Sequence, residues 1–119
     1  MREQDIQNGI RLEFSKRIPD GLLFRTNVGT AWTGSRTRKN LDGSLTIFDP
    51  RPFNTGLPNG FSDLFGVLPG GKALFLEVKT PKGRPTEVQT NFLVQVKCAG
   101  AAAGVVRSIE DVIKIIEKG

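Results

Sequence analysis

Ile6, Ile10 and Phe14 recur at four-residue spacing with polar residues between them, which predicts a helix over residues 3–17 that buries one stripe and ends before Pro19 and Gly21. Residues 22–27 read as a strand. From 29 to 60 the chain is rich in Gly, Asn, Pro and basic residues, and only 45–48 alternates, with Asp42-Gly43 placed to turn a small hairpin just before it. The rest of that stretch reads as irregular, and so long an irregular stretch in a small domain is usually functional or mobile.

Residues 63–68 and 73–79 are apolar runs joined by the turn signal Pro69-Gly70-Gly71-Lys72, which predicts two antiparallel strands. Residues 80–85 form a loop. Thr86, with Gln89 three positions on, has capping-box spacing and opens a second helix whose buried side is expected to be Val88, Phe92, Leu93 and Val96, closed by Gly100. A last strand is expected at 105–107, with Ser108 as an N-cap and Ile109, Val112, Ile113 and Ile116 as the stripe of a final helix. The order is αβββαβα. A strand, crossover helix and strand return parallel, so the expected fold is α/β: a small mixed β-sheet flanked by helices.

Composition narrows the class. With 119 residues, 38% hydrophobic and 24% charged, the chain suits a single domain over 1–119 and excludes a disordered chain, a collagen or a disulfide scaffold. The N-terminal Met-Arg-Glu-Gln-Asp-Ile-Gln lacks the apolar centre of a signal peptide, and no stretch approaches the roughly 18 apolar residues of a membrane span. A soluble, cytoplasmic protein without a membrane partner is expected.

Charge adds a direction. Seventeen Lys and Arg against twelve Asp and Glu give +5, and the surplus is local: residues 1–20 and 86–119 are each balanced, whereas 21–85 holds nine basic and four acidic groups. A polyanion such as nucleic acid would meet that middle region. Solubility alone is the plainer reading of the imbalance.

The chemistry is constrained by what is missing. The chain has one cysteine, Cys98, and no histidine, so a zinc site of nitrogen and sulfur ligands is excluded and any metal must be held by oxygen. In the run Ala73-Leu74-Phe75-Leu76-Glu77-Val78-Lys79, Leu74, Leu76 and Val78 share one face and Ala73, Phe75, Glu77 and Lys79 the other, so two charges appear at the end of a central strand. Charges there cost several kcal/mol each unless paired or metal-bound, at about the order of magnitude known for buried ions. Asp63 begins the preceding strand and, counted outward from the turn, lies within one residue of facing Glu77. Two facing carboxylates repel, and a hard cation such as Mg²⁺ relieves that repulsion. A structural Glu77–Lys79 pair is the plainer alternative.

Asp63, then Glu77-Val78-Lys79, then Gln89 on the next helix resembles the PD-(D/E)xK nuclease superfamily, with its restriction-endonuclease-like core. More narrowly, Phe24-Arg25-Thr26-Asn27, Gly60-Phe61-Ser62-Asp63-Leu64, Glu77-Val78-Lys79-Thr80-Pro81-Lys82-Gly83-Arg84 and the Gln89 helix resemble the VRR-NUC (virus-type replication-repair nuclease) domain in its stand-alone, phage-like form. One departure is Ser62, where the superfamily pattern has proline. The resemblance implies a metal-dependent endonuclease acting on DNA, structure-selective for branched, flap or junction forms, with Asp63, Glu77 and the Val78 carbonyl on Mg²⁺ or Mn²⁺ and Lys79 positioning the attacking water. By the same similarity, Glu3 is a candidate metal ligand and Gln89 a candidate orienter of Lys79. Each has a plainer role, Glu3 at the positive end of its helix and Gln89 in the cap with Thr86. If viral, the protein would act in the host cytoplasm.

Lys82 and Arg84, just past the catalytic strand, are candidates for the DNA backbone, as are Arg36, Arg38, Lys39 and Arg51, with Trp32 and Phe53 interleaved. Arg25 is a further candidate, with a structural role as the alternative. The run from Gly66 to Ala73 is one residue short of a phosphate loop, but Ala73 stands where Ser or Thr would hold Mg²⁺ and a β-run follows instead of a helix. Cutting both strands of a branched DNA needs two sites, so a homodimer is expected. The competing reading is a non-catalytic nucleic-acid-binding module that keeps the nuclease fold.

Overall fold

The computed structural model describes residues 1–118. Along the chain run α1 (Glu3–Arg17), β1 (Leu22–Arg25), β2 (Thr30–Thr33), β3 (Arg36–Lys39), β4 (Leu45–Phe48), β5 (Arg51–Asn54), β6 (Leu64–Val67), β7 (Ala73–Val78), α2 (Glu87–Cys98), β8 (Ala102–Val106) and α3 (Ile109–Lys118). The elements fall into two compact units: Asn27–Asn59, carrying β2 to β5, and the rest of the chain.

In the larger unit four strands lie in the order β1-β6-β7-β8, the first three antiparallel and β8 parallel to β7. This is the αβββαβα core and mixed sheet that the periodicity predicts. The stripe Ile6, Ile10 and Phe14 of α1 is buried with Leu64, Leu74, Leu76, Val78, Val106 and the α3 residue Val112. Burying such side chains is worth about 1.5–3 kcal/mol each, so this face is a main contributor to folding.

The turn between β6 and β7 sets the register on which the site depends. The Leu68 amide donates to the Lys72 carbonyl at 2.8 Å and the Gly71 amide to the Leu68 carbonyl at 2.9 Å. Gly70 and Gly71 take φ of 93° and 92°, a region that glycine enters without steric cost. The hairpin is therefore centred on Gly70, and the expected one-residue offset between Asp63 and Glu77 disappears: the pairing Leu64↔Leu76, carried one step outward, sets them directly opposite.

Two boundaries differ from expectation for reasons of packing. The last strand begins at Ala102, not at 105, because its small residues fit a close approach: a Cβ on Gly104 would lie 2.6 Å from Ile115 Cδ1. Val88, expected on the buried side of α2, is 52% exposed. It lies in the first turn, where its backbone packs on Gly60: a Cβ there would meet the Val88 carbonyl oxygen at 2.8 Å. Leu93 is buried as expected, with Phe92 and Val96 half-buried.

The smaller unit corrects the reading of 29–60 as irregular. Every pair from Thr30↔Asn54 to Thr33↔Arg51, and from Arg36↔Phe48 to Lys39↔Leu45, belongs to one continuous register. The Thr55 amide donates to Gly29 at one end (3.0 Å) and the Asn40 amide to Ser44 at the other (2.8 Å). The segment is thus a single two-stranded ribbon. Its ladder is interrupted where Gly34-Ser35 faces Asp49-Pro50, since Pro50 has no N–H to donate and Asp49 takes a φ of 53°. Hydrophobic alternation fails to reveal it because neither face covers a core, and no side chain of Asn27–Asn59 is buried.

Candidate active site

Glu77 is the anomaly of the central strand. It is 1% exposed, and neither carboxylate oxygen has a hydrogen-bond partner. It lies on the face of β7 opposite Leu74, Leu76 and Val78, the face it shares with Phe75. There Phe75 packs against Phe65, Phe61 and Phe92, with ring centroids 5.0, 5.8 and 5.6 Å away. Glu77 thus shares an aromatic face of the sheet and is itself withdrawn from water.

Asp63 faces Glu77 across the β6–β7 pairing, and its Oδ2 accepts a 2.9 Å hydrogen bond from the Val78 amide. Lys79, two residues beyond Glu77, brings its Nζ to 3.6 Å from Glu77 Oε1, with its side chain 12% exposed. Burial first, and then the neighbouring Asp63 carboxylate, push the Glu77 carboxyl up from 4.5 to about 8, against the opposing pull of the Lys79 ammonium. A buried carboxylate that accepts no hydrogen bond, beside a second carboxylate, is a set of hard oxygens suited to a divalent cation.

The structure brings Asp63, Glu77, Val78 and Lys79 together. It does not bring Glu3 to them: among the described residues no three acidic, histidine or cysteine side chains gather closely enough to hold a metal ion. Glu3 stands instead in the first turn of α1 with Asp5. Gln89 has its side-chain oxygen committed to the capping box, accepting from the Thr86 backbone amide at 2.9 Å while the Gln89 backbone amide donates to Thr86 Oγ1 at 3.1 Å. Among the described residues no hydrogen bond joins it to Lys79.

Arg25 is exposed on β1 opposite Leu64, one position from Asp63. Lys82 and Arg84 are exposed on the loop after β7. Arg36, Arg38 and Lys39 lie on β3, all exposed.

Two supporting residues, Thr26 and Arg107, are given no role by the sequence. Thr26 follows β1, and its amide donates to the Asp63 carbonyl at 2.9 Å. Its hydroxyl donates to the Ser62 carbonyl and lies 3.1 Å from that of Asp63. Ser62 itself is fully buried, with its hydroxyl unpartnered. Arg107 holds the loop that follows Lys79, donating from Nε to the Thr80 carbonyl (3.2 Å) and from Nη2 to the Gly83 carbonyl (2.8 Å). Both act on backbone carbonyls, which leave no trace in a sequence.

A solved structure described as a VRR_NUC domain matches 97% of this chain and 94% of its own, with a TM-score of 0.60 and 23% identity. This chain has the VRR_NUC fold. No protein-family model matches the chain, and no curated protein matches it in sequence. The site described above lies at the β6–β7 hairpin of the VRR_NUC fold, where Asp63 meets the end of β7. None of the described helices is long and apolar enough to cross a membrane.

Proposed function

We propose that the chain, as one nuclease domain over 1–119, is a metal-dependent endonuclease that hydrolyses DNA phosphodiester bonds in branched, flap or junction structures. The observation that carries this reading is Glu77, an almost fully buried carboxylate whose oxygens accept no hydrogen bond and whose one close charge partner is Lys79, with Asp63 facing it across the strand pair. A purely structural ion pair would not need the second carboxylate, which raises the cost of ionising the first.

Asp63, Glu77 and the Val78 carbonyl would hold Mg²⁺ or Mn²⁺, which when bound neutralises the paired carboxylates, acidifies the attacking water and offsets charge building on the phosphate. The Val78 amide fixes Asp63 Oδ2 in place, leaving Oδ1 for another partner. The Lys79 ammonium, held near Glu77, can orient the attacking water or donate to a non-bridging phosphate oxygen. Gln89, whose side-chain oxygen caps α2, would orient the same water through its side-chain nitrogen Nε2. Lys82 and Arg84 on the loop braced by Arg107, with Arg25 across from β6, bind the backbone beside the scissile bond, and Arg36, Arg38 and Lys39 bind it elsewhere. A homodimer supplies the second site that a symmetric cut requires.

One observation favours a second reading, a non-catalytic nucleic-acid-binding module: no third acidic group joins Asp63 and Glu77 among the described residues. A single panel separates the two. Linear, flap and four-way-junction DNAs are incubated with Mg²⁺, Mn²⁺ or EDTA, with wild type and Lys79→Ala side by side. Metal-dependent scission lost in the variant supports the nuclease. Salt-sensitive binding without scission of any substrate leaves the binding module.

A further inference from the structure

The ribbon of β2 to β5 has no core to stand on. An isolated two-stranded ribbon is marginal in water. Its composition suggests what it is for: Arg36, Arg38, Lys39 and Arg51 against only Asp42 and Asp49. Both acids are occupied locally. Asp42 Oδ1 accepts from the Ser44 hydroxyl at 2.6 Å and the Ser44 amide at 2.9 Å, which holds its carboxyl below the ordinary range. Asp49 Oδ2 accepts from the Ser35 hydroxyl at 2.8 Å. Among the described residues no carboxylate forms an ion pair with any of the four cations.

Two of these cations are held in place. Arg36 and Arg38 share one face of the β3–β4 ladder with Phe48, whose ring centroid lies 4.1 Å from the Arg36 guanidinium carbon and 5.6 Å from that of Arg38. Arg38 Nε also donates to Asn40 Oδ1 at 3.3 Å. Alternate residues on a strand are about 6.5–7 Å apart, close to the separation of successive phosphates along one nucleic-acid strand. Two like charges at that spacing repel, and the shared ring offsets part of the cost. Because a guanidinium covers the ring, this face presents fixed charge and not a platform for an unpaired base. A two-stranded ribbon also has dimensions that a duplex groove admits.

We propose that the β3–β4 part of the ribbon docks on double-stranded DNA, with Arg36 and Arg38 on successive phosphates of one strand and Lys39 and Arg51 adding neutralisation. The proposal rests on the nuclease reading only for the class of its partner. The test is binding in EDTA, by fluorescence anisotropy over a salt series, to a 20-base-pair duplex and to a single strand of the same length, a probe size on the order of two helical turns. Arg36→Ala/Arg38→Ala is expected to lose duplex affinity about tenfold or more and to lower the slope of log affinity against log salt by about 1.8. Arg36→Lys/Arg38→Lys is expected to keep the slope. An unchanged slope in the alanine pair, or equal losses in both pairs, overturns the proposal. So does a loss on the single strand as large as that on the duplex, or a change of oligomeric state in sedimentation, which would assign the ribbon to a contact between copies. Since no metal or scission is involved, a wild type that fails to cleave defeats the nuclease reading and leaves this result standing.

Discussion

The central sheet and the ribbon are both made of short paired strands, yet they treat charge in opposite ways. In the sheet Leu64, Leu74, Leu76, Val78 and Val106 are completely excluded from solvent, and Glu77, on the other face of the same central strand, is buried as well, with its carboxyl pushed up to about 8. In the ribbon every cation is exposed and no side chain is buried. Two charges 4 Å apart interact by only about 1 kcal/mol in water and by several times more at a protein's effective dielectric. Only the sheet can therefore shift a proton equilibrium by several pH units. The ribbon offers long-range attraction that salt screens. On the proposed reading this is a division of labour, with chemistry assigned to the densely packed sheet and substrate capture to the ribbon.

The sharpest way to break that comparison is to remove Lys79. Lys79→Ala is expected to lower metal-dependent cleavage by about 10³-fold, the usual scale for losing one preorganised electrostatic group at a reacting phosphate. Duplex affinity in EDTA should stay within about twofold, since one partly buried lysine contributes little to a salt-dependent interface. Cleavage that survives the substitution would move the chemistry elsewhere. The stability counterpart pairs two leucines. Leu76→Ala, fully buried, is expected to cost about 2–5 kcal/mol in urea unfolding, whereas Leu41→Ala, wholly exposed at the ribbon's tip, should change stability by less than about 0.5 kcal/mol. Similar costs at both sites would mean that the ribbon has an apolar partner in solution.

A smaller effect comes from the raised carboxyl. In the folded, metal-free protein Glu77 keeps a proton up to about 8, and in the unfolded chain it releases it near 4.5. The folded state therefore holds the extra proton, so this contribution is complete below pH 4.5 and is lost as pH rises toward 8. Thermal unfolding in EDTA should show Glu77→Gln more stable than wild type at pH 8, by on the order of 1–3 kcal/mol, with the gap closing by pH 5. Saturating Mg²⁺ should reverse the ranking at pH 8. A wild type whose stability does not decline between pH 5 and 8 relative to the variant would show that Glu77 ionises freely.

The same contrast explains what was legible in the sequence. The larger unit was, because each of its elements writes a period: Ile6, Ile10 and Phe14 on a helix, alternation through Leu74, Leu76 and Val78, and a glycine turn that fixes where Asp63 meets Glu77. The ribbon was not, because Arg-Thr-Arg-Lys and Thr-Ala-Trp-Thr pair through their backbones without a hydrophobic side to betray them. Gln89 was ambiguous in principle, since the spacing that marks a capping box also suits a residue orienting Lys79, and the structure commits its side-chain oxygen to the cap. Glu3 was ambiguous in the same way, because an acid in a first helical turn already has a reason to be there. The strand start at Ala102 fell outside the expected 105–107 because strand propensity favours large residues, whereas Gly104 lies too close to Ile115 of α3 for any side chain.

Thr26 provides the finest test, because it is the last residue of the larger unit before the ribbon begins. Its hydroxyl reaches the Ser62 carbonyl and the Asp63 carbonyl, so one side chain ties the end of β1 to the backbone that carries Asp63. Thr26→Val keeps the shape, removes the donor and leaves the Thr26 amide bond to Asp63 in place. The expected loss of stability is about 1 kcal/mol, the net worth of a part-buried hydrogen bond. If Thr26 only stabilises the strand pair, cleavage at saturating DNA should be unchanged once the protein is folded. If it also holds Asp63 in position, kcat should fall several-fold and the Mg²⁺ concentration needed for half-maximal activity should rise, while the salt dependence of duplex binding stays that of wild type. Thr26→Ser, which restores the hydroxyl, should recover both. A shift in the salt slope instead would tie Thr26 to substrate capture, and the separation of roles between sheet and ribbon would fail at the residue where one gives way to the other.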